Sequence, residues 1–208
     1  MSNIDDVLKD VRKAYRLLAS YQQRMLELLT FIRKSIKAES YYYCYRTTLP
    51  RTFEGLEMQP ESGRRFLSFE NLSQLWLINS GQEEAHEYHH AGDILVDAYI
   101  VSDTATSKHH VPKGANSTDE GESQLWLYFF YCDTPAQSGI ANNWYNKVWS
   151  ACPEYPKDNE VINIKTVNGK YRVLGICIPL RNLADKSSIE TSIVNIRQVV
   201  KETLGADI

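Results

Sequence analysis

The stretch Leu125-Trp126-Leu127-Tyr128-Phe129-Phe130-Tyr131-Cys132 decides the fold. On an extended backbone Leu125, Leu127, Phe129 and Tyr131 fall on one side, and Trp126, Tyr128 and Phe130 on the other. A strand apolar on both sides belongs at the centre of a sheet whose two faces are covered. Working outward, residues 93–102 repeat the pattern in milder form. Ile94, Val96, Ala98 and Ile100 share one face, while Asp93, Leu95, Asp97, Tyr99 and Val101 share the other.

Further strands are expected at Tyr41–Tyr45, at about 65–70 and at 73–79, with residues 50–64 as loop. Asn168-Gly169 is a strong hairpin turn and should join 160–166 to 171–178, setting Lys165 opposite Arg172. Ser-Gln-Leu-Trp-Leu occurs at 73–77 and again at 123–127, but the flanks differ, so two similar strands of one sheet explain it better than a repeat.

The sheet needs covers, and the chain supplies a helix at each end. Ile4, Val7, Val11, Ala14, Leu18, Tyr21, Met25, Leu28 and Ile32 recur in steps of three and four, with Leu8, Tyr15, Leu29 and Ile36 on the adjoining flank. Ser2 is a candidate cap, and Asp5 and Asp6 suit the positive end of the helix dipole. At ~1.5 Å per residue the helix is about 50 Å long, more than one sheet can cover. Val7, Val11, Leu18, Tyr21, Met25, Leu28 and Ile32 are therefore assigned to an oligomer interface. The last helix is expected from Ser187, with Glu190 completing a capping box, through Ile189, Ile193, Ile196, Val200 and Leu204 to a stop at Gly205. Trp144/Val148 and Tyr145/Trp149 suggest a short helix at 140–150.

The fold class expected is α+β: a mostly antiparallel central sheet covered by the long N-terminal and the C-terminal helix. Residues 1–38 form the amphipathic oligomerisation or docking helix and 39–208 the α+β globular domain. Composition agrees with a real core, since 43% of the 208 residues are hydrophobic and 24% charged. No apolar run approaches the ~20 residues of a membrane span. Lys9, Asp10, Arg12 and Lys13 interrupt any secretory segment, so Cys44, Cys132, Cys152 and Cys177, which lack CxxC spacing, are expected as free thiols of a cytoplasmic protein. Residues 1–37 hold eight Lys/Arg and four Asp/Glu, a net of +4 that leaves −7 on the remainder.

All five histidines lie between 86 and 110. His86 and His90 have metal-ligand spacing on a helix, and Asp93 adds an oxygen, which gives a candidate site for a divalent metal. His109 and His110 follow a strand of about ten residues, roughly 30 Å long, and so belong elsewhere. Asp97, an acid at mid-strand, needs a partner if buried; Arg46 and Arg172 are the candidate cations. Lys165, Arg172 and Asp97 together offer a contact for an anion or an acidic partner, because facing like charges call for relief. An acid on one strand followed by a second strand resembles the core of PD-(D/E)xK nucleases. That resemblance implies Mg²⁺-activated water, yet Glu122-Ser123-Gln124-Leu125-Trp126 lacks the lysine, so it implies a degenerate scaffold. Residues 103–123 are a long polar loop, and Asp133–Asn143 a shorter one.

No nucleophile elbow, phosphate-binding glycine loop, H-E-x-x-H or zinc-finger spacing is present, which points away from an enzyme and from any resident cofactor. The function expected is a non-enzymatic interaction or accessory protein. It assembles with itself or a larger protein through its N-terminal helix and recognises a partner with its aromatic-rich domain. A nucleic-acid-associated accessory subunit is the alternative, and a metal-dependent hydrolase using the His86–Asp97 region the second.

Overall fold

Every residue of the strand Ile94–Val101 is buried, so the architecture is best built outward from it. The structure, a computed structural model, describes residues 3–45, 72–79, 89–105, 121–135, 143–166 and 169–208. Six strands, β1 (Glu39–Tyr45), β2 (Leu72–Ile78), β3 (Ile94–Val101), β4 (Gln124–Thr134), β5 (Val161–Thr166) and β6 (Gly169–Pro179), form one sheet in the order β1-β2-β3-β4-β6-β5. Every neighbouring pair is antiparallel. Helix α1 spans Ile4–Ser35 and α2 Lys186–Leu204. The protein is thus α+β, with β3, β4 and β6 in the interior of the sheet. The strand expected at 65–70 and the loop at 50–64 lie outside the described residues.

The alternation read along β3 and β4 is realised on the two sheet faces. Val96, Ala98 and Ile100 join Leu125, Leu127, Phe129, Leu174 and Ile176 against Met25, Leu28, Leu29 and Ile32 of α1 and Ile193, Ile196 and Val200 of α2. Leu95, Tyr99, Trp126, Tyr128, Phe130 and Val173 form the opposite layer. The two helices cover the sheet as expected, and both lie on the same face. The physical reason is width: six strands at about 4.8 Å span more than one helix of about 10 Å diameter can hide. Arg197 of α2 donates to the Ser35 carbonyl at the end of α1, 2.5 Å away, and so ties the two covers together. Among the described residues, the other face is covered by a π-helical turn, Trp144–Trp149, which buries Trp144 and Val148.

The duplicated Ser-Gln-Leu-Trp-Leu supplies two strands that flank β3. Trp76 sits opposite Val96, whereas Trp126 sits opposite Tyr99. That offset is an odd number of residues, so Trp76 packs on the helix side and Trp126 on the other. The same five residues thus serve opposite layers, as two strands and not as a repeat.

Local signals fix the ends, with shifts from the sequence reading. Asn3, not Ser2, caps α1, its side chain accepting from Asp5 N at 3.3 Å. Asp185, not Ser187, caps α2 in a reciprocal box with Ser188, at 2.8 Å to Ser188 N and 3.1 Å back from Asp185 N. An acid three residues before a serine satisfies the same orphan amides as the expected Ser/Glu pair. The Ser188 amide and then its hydroxyl hold the Asp185 carboxyl below the ordinary carboxylate range. Gly205 ends α2 at φ 75°, the left-handed conformation that suits glycine. The hairpin pairs Thr166 with Gly169, so Lys165 faces Lys170 and Arg172 faces Asn163. Gly169 therefore opens β6 and is not a turn residue, which corrects the Lys165–Arg172 pairing.

Only the second half of α1 is docked. Residues 3–20 are exposed throughout, while Met25, Leu28, Leu29 and Ile32 are buried. Tyr21, at the boundary, hydrogen-bonds Ser102 Oγ at 3.1 Å. Ile32→Ala should therefore cost about 2–5 kcal/mol of unfolding free energy in urea. Leu17→Ala, on the overhanging half and off the seam, should change it by less than about 0.5 kcal/mol. Equal losses at the two positions would contradict the division of the helix.

Candidate functional site

Among the described residues, most of the exposed large hydrophobic side chains lie on the first half of α1. Val7, Val11 and Leu18 remain 44, 43 and 39% exposed, joined by Ile4, Leu8, Tyr15 and Leu17. Of the residues assigned to an interface, Met25, Leu28 and Ile32 belong to the protomer's own core, and Tyr21 packs at its margin. The seam is continuous in sequence but serves two purposes in the fold, since the covering sheet ends near Tyr21. Where α1 meets the body, two grooves of about 400 and 410 Å³ run between it and the segment Leu180–Lys186. Arg24 lines both and donates to the Ala184 carbonyl at 2.6 Å.

The sheet face away from the helices carries a second aromatic layer with two polar centres. The His89 ring stacks on Trp144 at 4.2 Å between centroids, and its Nε2 lies 2.6 Å from the Tyr171 hydroxyl. Asp97 Oδ2 accepts from Trp149 Nε1 at 2.6 Å and from Tyr155 OH at 3.3 Å. Tyr155 in turn packs edge-on against Tyr128 at 4.5 Å. His89 and Asp97 are both fully buried, so their polar atoms serve to orient rings within the layer. Aromatics extend this layer to solvent at the β1 edge. Tyr42 packs edge-on against Tyr145 at 5.0 Å, Tyr145 stacks on Trp149 at 5.2 Å, and Tyr42 and Tyr43 are exposed.

The candidate metal site is not assembled by the described residues. His86 lies outside them, as do His109 and His110. His90 and Asp93 are neighbours in a turn through Gly92, at φ 93°, where the Asp93 carboxylate accepts from His90 N at 2.7 Å and stands 3.5 Å from His90 Nδ1. No group of three metal-ligating side chains occurs among the described residues. His89, which carries the buried chemistry of this turn, has no spacing signature. Its only sequence signal is apolar company on the strands it meets. Burial and the nearby Asp93 and Asp133 charges push the Cys132 thiol up to about 12, and burial, Asp158 and Glu122 do the same to Cys177, also to about 12. Both stay protonated at neutral pH and make poor nucleophiles or ligands.

Lys165, Arg172 and Asp97 do not come together. Asp97 shares a face with Leu95 and Tyr99, while Arg172 lies on the helix face beside Leu174. Arg172 forks onto Asp133, with Nη2–Oδ1 at 2.8 Å and Nε–Oδ2 at 3.0 Å. It also donates to the Thr203 and Leu204 carbonyls at 3.3 and 3.1 Å, and lies 4.8 Å over the Tyr131 ring. The arginine thus fastens the C-terminal end of α2, where a cation belongs, to the sheet. The ion pair expected from Arg172 to Asp97 is replaced by this one; Arg46 lies outside the described residues. Arg172→Lys should lower stability by about 1–3 kcal/mol because an ammonium cannot reproduce the planar fork. Lys165→Ala, measured by the same urea titration, should stay within about 0.5 kcal/mol of the parent protein. A tolerated Arg172→Lys would contradict this role.

Comparison with known proteins follows the whole chain and includes both surfaces. The sequence matches the family described as PM0109 over residues 1–205. The uncharacterized protein PM0109 of Pasteurella multocida (strain Pm70) is 30% identical over 206 residues, 97% of this chain and 96% of that protein. No solved structure matches. The overhanging half of α1, the six-stranded sheet and α2 all fall within the matched length, and the chain belongs to the PM0109 family.

Proposed function

We propose that the protein is a non-enzymatic interaction or accessory protein. It assembles with copies of itself through the overhanging half of α1 and offers its aromatic surface to a larger protein partner. The observation that carries this reading is the row Ile4, Val7, Val11 and Leu18, exposed along about four turns of helix with none of the described strands beneath it. Shielding one Val or Leu side chain is worth about 1.5–3 kcal/mol. Four per chain, each about half exposed and counted twice in a symmetric contact, give about 6–12 kcal/mol, on the scale of the roughly 4–15 kcal/mol that association costs. A second helix also suits a segment that would otherwise fray, since isolated helices of this length are marginal in water.

Tyr42 and Tyr43 at the sheet edge, backed by Tyr145 and Trp149, are the recognition surface in this reading. Tyrosines offer apolar area with a polar tip and little rotamer entropy to lose. The four free cysteines suit a reducing, cytoplasmic setting. Among the described residues no helix is long and apolar enough to cross a membrane.

Deleting residues 1–37 would remove Met25, Leu28, Leu29 and Ile32 from the core, so point substitution is the cleaner test. Light scattering of the full chain should give a multiple of 23.9 kDa. Val11→Asp combined with Leu18→Asp should return 23.9 kDa with the unfolding midpoint of the sheet nearly unchanged. A parent protein that already scatters as 23.9 kDa at micromolar concentration would refute assembly through α1.

A further inference from the structure

We infer that the outer face of the overhanging half of α1 is a contact surface for the phosphate backbone of duplex DNA. At ~100° per residue, Lys9, Arg12, Lys13 and Arg16 fall on the side of the helix opposite Val7, Val11 and Leu18. The basic face is therefore separate from the apolar row and points outward whether or not that row is paired. All four cations are exposed. Lys13 holds Asp10 at 2.8 Å, and no ion pair among the described residues engages Lys9, Arg12 or Arg16.

Two features set this face apart from an ordinary solvated one. The first is crowding. Lys9 and Arg12, like Lys13 and Arg16, are three residues apart, while Lys9 and Lys13, like Arg12 and Arg16, are four apart. Each of these like-charged pairs destabilises a helix. None of the described strands lies beneath residues 3–20 to offset that cost, whereas a polyanion relieves all four repulsions together. The second feature is the lack of acid. Val11–Leu26 holds no Asp or Glu, and Ser20, Gln22, Gln23 and Arg24 join the cations there. Arg, Lys, Ser and Gln are side chains that bond phosphate oxygens. Asp5 and Asp6 stand apart in the first turn, where the helix dipole accommodates them.

Geometry narrows the class of polyanion. A lipid surface would draw the apolar row inward and turn these cations away from the headgroups. A single strand calls for rings among the charges on which to stack its bases. Here Tyr15 flanks the apolar row and Tyr21 packs on the core. A duplex needs only a rod of cations laid along its backbone, and Lys9–Arg16 supplies one about 10 Å long. Residues 38–208, at a net −7, are repelled by DNA, which confines the contact to the segment standing clear of them.

The test titrates the full chain into a fluorescein-labelled DNA duplex of about 20 bp and arbitrary sequence, with anisotropy followed from about 50 to about 250 mM NaCl. Four neutralised phosphates per chain give a slope of log K on log[NaCl] of about −3.6, or about −7 where a dimer binds. Arg12→Gln combined with Arg16→Gln should weaken binding about tenfold or more at ~50 mM NaCl and reduce the slope by about 2 per chain. Its urea midpoint should hold or rise, because three of the four like-charged pairs are gone. Lys165→Gln combined with Lys170→Gln, an equal loss of charge on the facing strands β5 and β6, should leave affinity within about twofold. Absence of binding at ~50 mM NaCl, or equal losses in the two variants, would overturn the inference. So would tighter binding to phosphatidylserine vesicles or to the unpaired strand than to the duplex. Light scattering decides the assembly reading separately, since a monomer that binds the duplex would refute assembly and leave this surface standing.

Discussion

The structure depends on a mismatch of length between α1 and the surface available to receive it. A helix of 32 residues is about 48 Å long, whereas strands of 6 to 11 residues at about 3.3 Å each run for about 20–36 Å. The sheet must also share that face with α2. Only the stretch from Met25 to Ile36 finds a bed, and Leu29, Ile32 and Ile36 there are almost completely shielded. The apolar period continues unbroken beyond it, so the chain spends on the overhang the same residue types that build its core.

The second constraint lies on the opposite face. Among the described residues, that face is covered by one π-helical turn and a layer of aromatic rings. Rings with polar tips can pack a face and still satisfy buried acids and imidazoles, as Trp149 and Tyr155 do for Asp97 and Tyr171 does for His89. His89 and Asp97 are thereby structural partners of these rings. The aromatic layer also explains why the Tyr-rich composition ends in an exposed aromatic edge at β1.

What could be read in the sequence was what repeats. The two-sided strand at 125–132, the alternation of 94–101 and the heptad seam each signal through many residues, and each survives in the fold. What could not be read rested on single steps. The hairpin register turned on whether Gly169 opens a strand or fills a turn, and a shift there moved Arg172 from Lys165 to Asn163. The shared face of the two helices depends on the width of the finished sheet, which no local pattern encodes. The candidate site was legible in part: exposure of Val7, Val11 and Leu18 follows from helix length, but the claim of Met25, Leu28 and Ile32 by the protomer's own core follows only from where the sheet stops. His89 and Asp97 gain their roles from rings distant in sequence, and neither carries a spacing signature.

In the proposed assembly the overhanging half of α1 is sheltered in solution by another chain. Amide hydrogen exchange along α1, followed by mass spectrometry across a dilution series, measures that shelter directly. Protection over residues 4–20 should approach that of 21–35 at high concentration and fall away on dilution, while the docked half stays constant. Rapid exchange over residues 4–20 at every concentration, or protection there that ignores dilution, would contradict it.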